Sequence, residues 1–213
     1  MYLAETIDAV LESNKSKLIG CKFYSHICKE LNESFNNDKS FVFKFETYQD
    51  YGPEDYSVSG LYDMEEDKKY IVLNFCKSKR KFLISPKKWK EFKFAVSQVC
   101  QHETIHQCQW SSRDSSEWKT GKPDFRNVEG SIEEDQEYLS DPDEIEAYAH
   151  DIAMEIKYFY PKKDPLKVLK NISRHKKLWS FNYYKKTFEG EDWSIIKKRL
   201  LKKTYRWLPS VVV

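Results

Sequence analysis

The chain has 213 residues, 40% hydrophobic, 15% aromatic and 33% charged, enough apolar mass for a real core, with no apolar run near the roughly 18 residues that cross a bilayer. Its net charge of +2 hides a division: Lys157–Arg206 carries a net +12, whereas Glu129–Glu146 holds nine acidic residues and no basic one. Five cysteines (Cys21, Cys28, Cys76, Cys100, Cys108) are odd in number and form no Cys-x-x-Cys pair, which excludes a disulfide framework or zinc ribbon and points to reduced core thiols in a cytoplasm.

The opening "MYLAETIDAVLESNKSK" lacks the basic start and apolar centre of a secretion signal and reads as an amphipathic helix with Leu3, Ile7, Val10 and Leu11 on one face. Residues 1–18 and 22–35 are predicted helices separated by Gly20. Residues 40–49 alternate apolar and polar side chains, the mark of a half-buried strand. Further strands are predicted at 56–62 and 69–75, with a short extended piece at "KFLISP". Together they suggest a small, antiparallel or mixed sheet of three or four strands.

The pattern changes at Ser85-Pro86, a cap followed by a proline suited to the first helical position. From there Trp89, Phe92, Val96, Val99, Glu103, His106 and Trp110 step at three- and four-residue intervals, tracing one face of a long helix to about Ser112. Residues 111–140 read as a long loop. Asp141, Pro142 and Glu144 then open a second helix as cap, first residue and capping-box partner, and this helix runs to about Phe159. Two or three basic, aromatic-rich helices follow.

The stretch "VCQHETIHQCQW" carries the chemistry. His102 and His106 are one helical turn apart, so both imidazoles can hold one metal ion. Glu103 lies about 100° around the helix, outside the ligand shell but able to take a proton from a metal-activated water. The bland alternative is a pair of buried histidines satisfied by neighbouring carbonyls. Catalytic zinc needs a third protein ligand. Asp141 and Glu144 are accounted for by capping and Asp143 by the helix N-terminus. That leaves Glu146, beside the small Ala147 and Ala149, as the third ligand, with a solvated helix glutamate as its plain reading. His150, one turn on, is the alternative ligand; otherwise it orients a ligand or stabilises the tetrahedral intermediate. Cys100 and Cys108 point away from the histidines and read as core thiols.

"HETIHQCQ" followed by "EIEAYA" resembles zincin metallopeptidases of the gluzincin type, whose third ligand is a glutamate just before an alanine on a later helix. The nearest flavour is the compact bacterial and phage group, such as the ImmA/IrrE-like peptidases and others with a His-Glu-x-x-His-x-x-Gln core. The resemblance covers residues 69–159 and implies Zn2+ at His102, His106 and Glu146, with Glu103 as general base. It also implies that the 69–75 strand lines the cleft and pairs with an extended peptide. Two departures stand out. Thermolysin-like members place an aspartate four residues after the ligand glutamate, where this chain has His150, with Asp151 next. The Gly-containing motif that carries the third histidine of SprT-like proteases is absent.

The expected architecture is therefore α+β: a zincin-like metallopeptidase domain over 1–160 and a basic helical extension over 161–213. The expected activity is zinc-dependent hydrolysis of a protein or peptide, in the cytoplasm (a host cytoplasm, if the Lys- and Asn-rich composition reflects a phage) and away from membranes. The acidic stretch 129–141 is positioned in sequence to cover the cleft and favour basic substrates. Aromatics interleaved with cations over 157–207 suit nucleic acid, or equally a small bundle with lysines outside. The rival reading is a nucleic-acid- or protein-binding module in which zinc is structural or absent.

Overall fold

Phe41 and Phe43, two residues apart, both turn inward because strand side chains alternate, and this alternation builds the central sheet of the first half of the chain. The computed structural model describes residues 3–52, 54–113 and 131–211 and has a mixed α+β architecture. Its strands β2 (Phe41–Tyr48), β3 (Tyr56–Asp63) and β4 (Lys68–Cys76) lie in the order β2-β4-β3; β1 (Gly20–Phe23) pairs antiparallel with β5 (Lys81–Ile84) in a separate ribbon. The central strand β4 runs parallel to β2 and antiparallel to β3.

Of the antiparallel and mixed sheets expected, the observed one is mixed, and one expectation changes. The strand β4, which the resemblance made the peptide-pairing strand, is hydrogen-bonded on both edges and has no open side for a peptide. Ile71, Leu73 and Phe75, on one face of the strand, are fully buried, while Tyr70 and Val72 on the other face are half-buried.

Met1–Gln107 forms one compact unit and Cys108–Val212 a second. In the first, α1 (Leu3–Ser13), α2 (Lys15–Leu18) and α3 (Tyr24–Ser34) contribute Ile7, Leu11, Leu18, Ile27 and Leu31 to one apolar cluster with the sheet. Gly20, at φ +112°, turns the chain from α2 into β1, a backbone setting that side chains resist. This ribbon strand replaces the start of the expected 22–35 helix. The long helix α4 (Trp89–Ser111) starts three residues later than predicted, because the Ser85 hydroxyl accepts from the Lys88 amide at 3.2 Å and closes a turn first. Trp89, Phe92 and Val96 enter the same core.

In the second unit the last turn of α4 is followed by α5 (Ile132–Ser140), α6 (Pro142–Phe159), α7 (Pro165–Lys170), α8 (Trp179–Thr187) and α9 (Gly190–Trp207). Residues 114–130 of the predicted 111–140 loop lie outside the described residues. Its other end is helical: Ser131 and Glu134 make a reciprocal capping box for α5. The acidic stretch expected to cover a cleft thus belongs, from Ile132 to Ser140, to a helix. α6 packs against α8 and α9, so the expected boundary near residue 160 does not coincide with the division into units. Buried Glu155 accepts from the Ser180 amide at 3.1 Å and hydroxyl at 2.8 Å, satisfying the first turn of α8. Among the described residues no helix is long and apolar enough to cross a membrane.

Candidate metal centre

Four residues of α-helix turn through 400°, which brings the imidazoles of His102 and His106 to the same side of α4. Their Nε2 atoms converge to 3.2 Å, with the rings tilted 71° to each other, and His102 is 8% exposed. In a tetrahedral zinc site with Zn–N of about 2.0–2.1 Å, neighbouring ligand nitrogens stand about 3.3 Å apart. The pair already has the edge length of such a shell.

Glu103, 5% exposed, lies flat against β3. A Cβ placed on Gly60 would stand 2.7 Å from Glu103 Cγ and 2.6 Å from Val99 Cγ1, and would collide with Glu103 Oε1. Only a residue without a side chain lets the strand approach the helix here. Gly60→Ala is expected to lower stability by about 1–3 kcal/mol, the usual range for overpacking, and to displace the Glu103 carboxylate. Chemical denaturation checks the first effect. A crystal structure of the variant checks the second.

Gln109, three residues beyond His106, donates from Nε2 to the Asp143 carbonyl at 3.1 Å, and Arg113 forms an ion pair with the Asp143 carboxylate. Both contacts hold the first turn of α6 to the end of α4, and the next residue is Glu144. One ligand atom from each of His102, His106 and Glu144 lies within 4.8 Å of the others. The cap bond of α6 runs from the Asp143 amide to the Asp141 carboxylate at 2.8 Å.

Glu146, the expected ligand, lies two residues further along α6. Two helical residues rotate through 200°, and its carboxylate forms an ion pair with Lys203 of α9. His150, the expected alternative ligand or catalytic residue, is buried with its ring edge-on to Trp207 of α9, centroids 5.0 Å apart. Both side chains contact residues of α9. The cysteines divide similarly: Cys100 is fully buried, and loss of water pushes its thiol pKa up. Cys108 is exposed, contrary to its reading as a core thiol.

Sequence reasoning missed what fixes α4 in rotation. Lys69, 1% exposed, donates to Gln107 Oε1 at 2.7 Å and sits 4.1 Å from the centre of the Phe41 ring. It also pairs with Asp38 at 3.4 Å. Gln107 in turn donates to Asp67 Oδ1 at 2.8 Å, and this bond, with one from Tyr62, holds the Asp67 carboxyl below its ordinary range. The residue next to His106 is thereby tied to Asp67, just before β4, and to Lys69 within it. No sequence pattern announces this network. Gly60 and Glu144 did leave signals: an isolated glycine within a strand pattern, and a second glutamate two residues from the one chosen.

Against known protein families, curated proteins and solved structures, the chain gives no match.

Proposed function

We propose that this chain is a zinc-dependent peptidase of zincin type in which His102, His106 and Glu144 hold the metal and Glu103 is the general base. The observation that carries this reading is the 3.2 Å approach of the two Nε2 atoms on a helix whose intervening residues include a buried glutamate. Two nitrogens and one carboxylate oxygen are the donor set of a catalytic zinc site that keeps one position open. Zinc so held supplies Lewis acidity toward a peptide carbonyl and a water molecule. Glu103, beside the ligands but turned about 100° from them, accepts the proton of the attacking water and returns it to the departing amine. Gly60 leaves the room this carboxylate occupies beside β3, and a fixed position favours proton transfer. A mixed α+β fold with the motif on a helix beneath a small sheet is compatible with the gluzincin resemblance.

Purified protein is expected to contain about one zinc per chain, and His106→Ala to lose it with little change in melting of the apo form. Elemental analysis together with cleavage of a mixed peptide library tests the proposal. A wild-type protein that neither retains nor takes up zinc would overturn it.

A further inference from the structure

The inner side of α9 is spent on packing: Ile196, Leu200 and Thr204 are buried, and the helix lies along α6. Its outer side shows Ile195, Lys198, Arg199, Lys202, Tyr205 and Arg206, all exposed. At spacings of three and four residues these form one continuous stripe. No acidic residue follows Asp192 in the helix, and among the described residues none of the four stripe cations pairs with a carboxylate.

A helix face kept only for solvation usually interleaves signs. The outer face of α3 does so, with His26 3.3 Å from Glu30 and Lys29 3.7 Å from Glu33. On α9 the pairs Lys198/Lys202 and Lys202/Arg206 put like charges four residues apart, which weakens a helix in isolation. Folding gives no reason for that arrangement. An external polyanion does.

We propose that the outer face of α9 docks on the phosphodiester backbone of a nucleic acid, with Lys198, Arg199, Lys202 and Arg206 contacting phosphates and Tyr205, 59% exposed, stacking on an unpaired base. Four helical residues advance about 6 Å, so the Lys198–Lys202–Arg206 row follows a strand at regular steps. A membrane surface fits less well, because an interfacial helix inserts an apolar face and that of α9 is already buried within the unit. The inference is independent of the metal centre.

Fluorescence anisotropy with a labelled single-stranded 20-mer and the matching duplex, from 50 to 200 mM salt, tests it. Four phosphate contacts predict about a hundred-fold loss of duplex affinity over that range. The combined variant K198Q/R199Q/K202Q/R206Q is expected to lose at least tenfold in affinity at 50 mM and most of the salt slope. K167Q/K170Q/K176Q/K177Q, which removes equal charge from exposed positions elsewhere in the unit, is expected to keep both. Tyr205→Ala should weaken single-strand binding more than duplex binding. If the fourfold variant is misfolded by far-UV circular dichroism, K198Q and R206Q singly should each lower the slope by about one, and K198R/K202R should leave it intact. The proposal fails if wild type does not bind at 50 mM, if the control variant loses as much as the stripe variant, or if the stripe supports binding only to phosphatidylserine vesicles or polyglutamate.

Discussion

Glu103→Gln is expected to leave zinc content and melting temperature unchanged while lowering peptide hydrolysis by about 10²–10⁴-fold, the usual contribution of a positioned general base. Glutamine has the shape of glutamate, so it keeps the contact with the backbone at Gly60, but its amide cannot accept the proton. Removing His102 or His106 takes away metal and turnover together; Glu103→Gln separates them. In a module that only binds protein or nucleic acid, the same change alters neither metal content nor binding. The measurement pairs elemental analysis with initial rates, and a mutant hydrolysing peptides at the wild-type rate would remove Glu103 from the chemistry.

The parts of this site that depend on local geometry were legible in the sequence. The period of Trp89, Phe92, Val96 and Val99 places α4, and the four-residue spacing of His102 and His106 places their rings on one side of it. What depends on long-range pairing was not. Nothing within "KKYIVLNFC" states that β2 lies parallel beside it. The pattern Ser131-x-x-Glu134 was open to reading as a helix start, yet it sits in a stretch whose charges and glycines suggest loop. Glu144 was hidden by a plausible local duty: a glutamate three residues after Asp141 fits a capping box. A helix that already has a cap acceptor in Asp141 needs that glutamate less, and tertiary contacts through Gln109 and Arg113 decide where it goes.

The paired substitutions Glu144→Ala and Glu146→Ala separate the ligand suggested by the geometry from the one suggested by the sequence. The two residues are 200° apart around α6. Glu144→Ala leaves two imidazoles, and zinc affinity is expected to fall by more than the roughly ten- to hundred-fold that loss of an outer-shell partner costs. Glu144→His, which restores a neutral nitrogen donor at the same place, should recover part of that affinity. Glu146→Ala removes the ion pair with Lys203, a contact 24% and 36% exposed on its two sides. Such pairs contribute about 0–1 kcal/mol, so a small fall in melting temperature with full zinc content is the expected result, and Lys203→Ala should give the same fall. If Glu146→Ala loses the metal and Glu144→Ala keeps it, Glu146 is the ligand, and its contact with Lys203 is one that zinc binding breaks.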